Sequence, residues 1–320
     1  MPYINDQALK IYHHLSDFKK LDNAVAAIGT FDGVHFGHRK IISRLVETAR
    51  ATGGETVILT FFPHPRLILD PENQDLKMIN TISEKAAILE ELGVDHLIIT
   101  PFTRDFSNLS PDEYINNVLV GTIGIKHIIV GYDHRFGKDR KGGMQHLIAA
   151  GKIRGFEVEE IAEQDIHDVA VSSTQIRKAL LCGDVALAAT FLGYHFSIRG
   201  RVIKGDKIGR TIGFPTANIF VEETYKLIPS DGIYAVTVTL NEGSFKGMAY
   251  IGQRPTINGM TRNIEVNIFD FNQEIYGQDI TMTFMEFLRH DVKFTGLEAL
   301  KIQLQKDKED TLAYFNKMSN

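Results

Sequence analysis

Short apolar runs rich in Val and Ile recur through the first half of the chain, at residues 24–30, 56–61, 95–100, 126–130 and 156–161. Between several of them the apolar positions fall at helical spacing, over 40–51, 83–92, 111–123 and 143–152. Pro111 suits the first turn of a helix and Gly93 a helix end. Strands alternating with helices predict βαβ units, an α/β arrangement with a parallel sheet covered by helices on both faces. Ligands of such folds bind beyond the carboxyl ends of the strands.

The pattern changes around residues 183–195. A short helical stretch at 185–192 precedes strand-like runs at 197–202, 232–240, 245–251, 263–271 and 280–288, with no helices between them. Asn241-Glu242-Gly243 suits a hairpin turn. This half reads as an antiparallel barrel or sandwich. Leu297, Leu300, Leu304, Leu312 and Phe315 then fall at near-helical spacing, predicting a closing amphipathic helix. Two domains follow, 1–185 and 186–320.

Composition narrows the function classes. A chain of 320 residues with 43% hydrophobic and 23% charged residues is that of an ordinary globular protein. Its net charge of −5 gives no footprint for nucleic acid or an anionic membrane, so any phosphate site is local. Cys182 is the only cysteine, which excludes an internal disulfide and a thiolate-rich metal site. The opening MPYINDQALK has no apolar run of a signal peptide, and no stretch approaches the ~18 apolar residues of a membrane span. A cytoplasmic enzyme of small molecules is expected; homo-oligomerisation is left open.

Candidate chemistry lies at the predicted strand ends. GTFDGVHFGH (29–38) follows the first strand and opens the first helix. Gly29, Gly33 and Gly37 let backbone approach a ligand, and a helix N-terminus offers N–H groups to phosphate. His35 and His38 are one turn apart, close enough to share a phosphate chain, although such a pair also serves as a polar contact or as two metal ligands. No further Cys or His has structural-zinc spacing. FFPHP (61–65) follows the second strand and GYDHRFG (131–137) the fourth. In VSSTQIR (171–177), Ser173 and Thr174 read as helix caps. Arg177, in the first turns of that helix, opposes the dipole unless an anion binds there.

These four segments, in this order, resemble the nucleotidylyltransferase superfamily with its H-x-G-H signature. More narrowly, they resemble the FMN adenylyltransferase module of prokaryotic bifunctional riboflavin kinase/FAD synthetases. The resemblance implies a Rossmann-like domain in which His35 and His38 hold the ATP phosphates within a loop that includes Gly29, Phe31, Asp32, Gly33 and Gly37. Ser173, Thr174 and Arg177 would stabilise the departing pyrophosphate. Asp133 would position both substrates, and Phe62, His64 and Pro65 would meet the flavin. The family usually has an aromatic residue where this chain has His134.

The second half opens with GRVIKGDKIGRTIGFPTAN (200–218). It is not a P-loop, because Arg210 stands in place of the lysine and the preceding glycine is wrongly spaced. Thr and Asn supply neutral oxygens that suit a Mg²⁺ already neutralised by nucleotide phosphates. With DGIYAV (231–236), GQRPT (252–256), EVNIFDF (265–271) and FLR (287–289), this segment resembles the riboflavin kinase domain and its G-F-P-T-A-N signature. The resemblance implies a six-stranded barrel with Thr216 and Asn218 at Mg-ATP and Glu265 as general base. The loop of Gly205, Lys207, Gly209 and Arg210 would close over the phosphates, with Arg254 and Arg289 toward the flavin. Alternation alone does not orient Glu265, since Asn267 and Phe269 share its side.

The implied activities are riboflavin to FMN and FMN to FAD, each using ATP. Three rivals stand beside them: a chain keeping only the kinase, a flavin-binding protein without turnover, and a nucleotidylyltransferase of another coenzyme precursor with an accessory barrel.

Overall fold

The computed structural model describes residues 8–70, 72, 75–162, 171–205, 208–256 and 259–318. The chain divides into two compact units, Met1–Ser173 and Thr174–Asn320. The division expected at 185/186 falls one residue into the second of two short helices, Ser173–Leu181 and Val185–Leu192, and the compact-unit division falls at the start of the first.

In the first unit, β1 (Lys10–Tyr12), β2 (Ala24–Ile28), β3 (Glu55–Phe61), β4 (His96–Thr100), β5 (Ile125–Gly131) and β6 (Glu157–Ile161) form one sheet. Its order is β1-β4-β3-β2-β5-β6 and every pairing is parallel. Every residue of β2 is buried, because a central parallel strand is covered on both faces. Ala24, Ala26 and Ile28 pack with Tyr114, Val118 and Leu147 on one face. Val25 and Ala27 pack with Ile42, Leu45, Ala86 and Leu89 of the helices Phe36–Thr52 and Ile82–Glu91 on the other. The strand order reverses between β2 and β5, and the segments 29–35 and 132–143 leave the carboxyl ends of those two strands. They border the crevice where such sheets hold ligands.

The helix expected over 111–123 has two parts. Ser110 and Glu113 form a capping box over the turn Pro111–Glu113, and the chain continues as a wider, π-type helix Tyr114–Ile123. The Gly124 N–H closes that helix on the Leu119 carbonyl, five residues back. A Cβ at Gly121 would press on the Asn116 carbonyl at 2.8 Å, so glycine permits this winding.

In the second unit, β7 (Ser197–Ile203), β8 (Ala217–Phe220), β9 (Gly232–Leu240), β10 (Gly243–Thr256), β11 (Gly259–Ile268) and β12 (Asp279–Arg289) close into a barrel. The order is β10-β11-β8-β7-β12-β9, and every pairing is antiparallel. The sixth strand is β8, inside the segment that the apolar pattern leaves unassigned. Asn241 and Glu242 form the expected hairpin turn, with Leu240 opposite Gly243. Tyr234, Phe196 and Phe284 are fully buried, with the Tyr234 and Phe284 rings edge-on at 5.1 Å.

The closing helix, Leu297–Met318, is present but its buried face differs from the apolar pattern. Leu304 and Leu312 pack on Phe214, Met248 and Phe269, while Leu297 is 56% exposed. Asp307 and Thr311 are among the helix's most buried residues. Arg289 explains this, since its Nε and Nη2 donate to the two Asp307 carboxylate oxygens at 2.7 Å each. Gln303 adds a third donor to Asp307 at 2.9 Å.

Candidate active sites

The loop after β2 turns sharply into the first long helix. Phe31, Gly33 and Val34 all have positive φ, with 86° at Gly33, where a side chain would be strained. Asp32 is buried, and its carboxylate accepts the N–H groups of Ile79 (3.0 Å) and Asn80 (3.4 Å). Asp32 thus braces the loop from within. The Ser173 hydroxyl donates to the Asp32 carbonyl oxygen at 2.9 Å, tying Ser173 to the same loop. Thr174 and Arg177 follow on the helix that Ser173 opens.

His35 is the N-cap of the helix Phe36–Thr52, and Gly37 and His38 lie in its first turn, where backbone N–H groups lack helical partners. The two imidazoles stack at 3.7 Å between centroids, and Phe31 lies 5.1 Å from His38. Burial lowers the His35 pKa to about 4. Burial, then the neighbouring His35 and Lys85, hold His38 well below the ordinary imidazole range. Both are therefore neutral at neutral pH.

One charged group beside this loop escaped the motif reading. Lys85 is 5% exposed and lies beneath this loop, its ammonium donating to the Thr30 carbonyl oxygen at 2.7 Å. The available signal was its position. It falls on the apolar stripe of Ile82, Ala86 and Leu89, where a solvated lysine has no place.

Around the neighbouring strand ends, Phe62 packs against the core that includes Phe31 and Val34. His64 caps the short helix Pro65–Leu69, its Nδ1 accepting the Arg66 N–H at 3.1 Å, with Pro65 in the first helical position. After β5, Gly131 and His134 close a turn that leaves Asp133 exposed. The His134 ring stacks on Phe136 (5.7 Å, 29° between planes), and Phe136 leans on Tyr114 at 5.3 Å. Burial lowers the His134 pKa to about 4. The residue that departs from the family pattern thus presents an uncharged flat ring, as an aromatic would.

In the barrel, β8 lies beside β11 with Asn218 opposite Glu265. Glu265 is 8% exposed. The Thr216 hydroxyl donates to its Oε2 at 2.7 Å, and Asn263 Nδ2 donates to its Oε1 at 2.5 Å. Asn267, on the same face, donates to the Pro215 carbonyl at 2.6 Å. Glu265 therefore faces the G-F-P-T-A-N segment, which settles the orientation that alternation left open. Asn263 is a second residue the motifs did not single out; its spacing of two from Glu265 on a strand is the signal.

Gly205 lies against the Asn218 amide, where any Cβ would collide. A Cβ at Gly209 would strike the Phe214 carbonyl. Arg210 and Thr216 share a solvent-open cleft with Val266, Phe271 and Tyr276. Lys207 lies outside the described residues, and so does the side chain of Arg254, whose backbone belongs to β10. The Arg289 guanidinium is engaged by Asp307 and by the His290 carbonyl (3.0 Å).

Two family models match this chain. FAD synthetase covers residues 17–175 and riboflavin kinase covers 192–315. The bifunctional riboflavin kinase/FMN adenylyltransferase of Listeria monocytogenes is 40% identical over 98% of this chain and 100% of that protein. The chain belongs to the bifunctional riboflavin kinase/FMN adenylyltransferase family. The Bacillus subtilis member is 38% identical, covering 96% of each chain. A crystal structure described as a macrolide-efflux protein from Streptococcus pneumoniae superposes with a TM-score of 0.86 at 31% identity, covering 95% of this chain and 98% of that one. No described helix of this chain is long and apolar enough to cross a membrane.

Proposed function

We propose that this family member divides its two ATP-dependent reactions between its two units. The chain is a transferase, a riboflavin kinase and an FMN adenylyltransferase, with riboflavin, FMN and ATP as substrates and FAD as final product. The observation that carries the division is the buried Glu265 carboxylate, oriented from both sides beside Thr216 and Asn218. We assign the kinase to the barrel and adenylyl transfer to the parallel-sheet unit, with the boundary between them inside 174–192.

In the kinase step the ribityl 5′-hydroxyl of riboflavin attacks the terminal phosphorus of ATP. An O–P bond forms, the bond to the leaving ADP oxygen breaks, and Glu265 accepts the hydroxyl proton. Thr216 and Asn218 fit a Mg²⁺–nucleotide complex. The Thr216 hydroxyl gives its only proton to Glu265, which leaves oxygen lone pairs for a cation. Bound there, Mg²⁺ would neutralise charge on the ATP phosphates. Gly205, Gly209 and Arg210 are assigned to the phosphate side.

In the second step an FMN phosphate oxygen attacks the α-phosphorus of ATP and pyrophosphate leaves. That phosphate is largely dianionic at neutral pH, its second pKa being about 6, so no base is needed. The site has instead to bring anions together and hold the leaving charge. The loop with His35 and His38, the helix N-terminus and Arg177 are assigned to that work; Asp133, His134, Phe62, His64 and Pro65 line the flavin side.

A chromatographic time course tests this with purified protein, ATP and Mg²⁺, starting from riboflavin or from FMN. FMN should rise and give way to FAD. Glu265→Ala should stop FMN formation and spare FAD formation from added FMN, and His38→Ala should do the reverse. Loss of both activities from either change, in a folded chain, would refute two separate sites.

A further inference from the structure

Lys85 plays no part in either step as written above, yet its setting is unusual. Its ammonium donates to the Thr30 carbonyl at 2.7 Å and reaches the Thr60 hydroxyl at 3.4 Å. Thr60 itself donates to the same carbonyl at 3.1 Å. Among the described residues Lys85 forms no salt bridge. Asp32 attracts it, but that carboxylate is hydrogen-bonded to the Ile79 and Asn80 backbone. Burial lowers the Lys85 pKa to about 8, so the group is still mostly charged at neutral pH.

A buried ammonium with no direct salt bridge costs the ligand-free fold stability, and an apolar side chain of similar size would be tolerated better. Retaining it makes sense if an anion arrives. Thr30 opens the loop 29–38, and the two histidines on that loop are neutral. A trans peptide sets its C=O and N–H on opposite sides. Drawing the Thr30 carbonyl toward Lys85 therefore turns the Phe31 N–H away from it, toward the other side of the loop.

We propose that Lys85 is a positioning residue for adenylyl transfer. It supplies fixed positive potential from behind the phosphate loop and holds the Thr30 peptide so that the loop presents its donor to the triphosphate. This rests on reading residues 29–38 as the ATP phosphate loop.

The test is Lys85→Met in the full chain, assayed for adenylylation of FMN and for melting temperature with and without ATP. The ligand-free melting temperature should hold or rise. kcat/KM for ATP should fall roughly tenfold to a hundredfold, the effect of one partly screened unit charge acting over less than a nanometre. The rise in melting temperature on adding ATP should shrink with it, and riboflavin phosphorylation should be unchanged. A ligand-free melting temperature that drops in step with activity would make Lys85 merely structural, and unchanged adenylylation would remove its role; either overturns the proposal. His38→Asn separates the underlying reading. If it leaves adenylylation intact, the phosphate-loop assignment falls and Lys85 with it. If it abolishes adenylylation while Lys85→Met does not, only the Lys85 proposal fails.

Discussion

Asp307→Asn is the perturbation that most directly tests how the barrel is tied to its closing helix. The Asp307 side chain is 1% exposed and that of Arg289 20% exposed, and they meet through two hydrogen bonds of 2.7 Å. Removing one partner of a buried pair costs about 3–5 kcal/mol. Here the cost lies lower, about 2–3 kcal/mol, since Arg289 keeps access to water and Asn retains one acceptor. At about 2–4 °C per kcal/mol for a unit of this size, melting of the barrel should fall by roughly 5–10 °C. Calorimetry on the ligand-free protein reads this, and the two activities locate it. Riboflavin phosphorylation should drop, because Arg289 also holds the His290 carbonyl and so the start of the segment leading to the helix. FMN adenylylation should persist. The double change Arg289→Met, Asp307→Leu should regain most of the stability, as apolar replacement of buried pairs does, without regaining the kinase. A single variant melting within about 2 °C of the parent would refute the reasoning.

Asn263→Leu keeps the side chain's approximate size and removes its donor to Glu265. The kinase kcat should fall on the order of tenfold with smaller changes in KM, as expected when a reacting group loses its orientation, and Asn263→Ser should recover part of the loss. His134→Phe should retain adenylylation and His134→Ala should raise the KM for FMN, because the ring's contribution here is an uncharged stacking face; equal kinetics for the two variants would exclude it. Acid should separate the two activities. The folded-state pKa of His35 is depressed to about 4 from 6.5, so the unfolded chain binds the proton first as pH falls. The stability from keeping it neutral is present above pH 6.5 and is lost between 6.5 and about 4, by roughly 3 kcal/mol at most. His134 is depressed in the same sense. Adenylylation should be lost before phosphorylation when samples are held across that window and assayed at neutral pH, and a reversed order would contradict it.

The parallel sheet was legible because strands buried on both faces must be continuously apolar, and β2 with its AVAAI is the plainest case. Strands without that constraint were not. β1 is three residues with mixed exposure, and β8 is four residues emerging from a Gly-Phe-Pro turn. The site motifs were legible where glycines and prolines mark them. Lys85 and Asp307 were not, for a common reason: a charged residue reads as surface until its tertiary partner is known. For Asp307 that partner is Arg289, distant in sequence. For Lys85 it is a backbone carbonyl, which no motif marks, so its place on the apolar stripe was the one sign of it.

On the proposed division of labour, the two sites differ in the sign of the charge they bury, and the difference follows from their nucleophiles. A neutral hydroxyl has a proton to lose, so the barrel buries a carboxylate and aligns it with two donors. A phosphate dianion has none to lose and meets a second anion, so a carboxylate facing it would repel the substrate. The parallel-sheet unit accordingly binds the buried carboxylate of Asp32 to backbone N–H groups, keeps His35 and His38 neutral and leaves an ammonium beneath the loop. A carboxylate in place of Lys85 would reverse that sign within hydrogen-bonding distance of the Thr30 carbonyl. It would also raise the proton affinity of His38, which the ammonium now lowers. The loop would then require protonated histidines to attract ATP, and burial opposes their protonation. Fixed charge from a lysine, rather than a titrating charge from imidazole, is the arrangement compatible with so dry a loop.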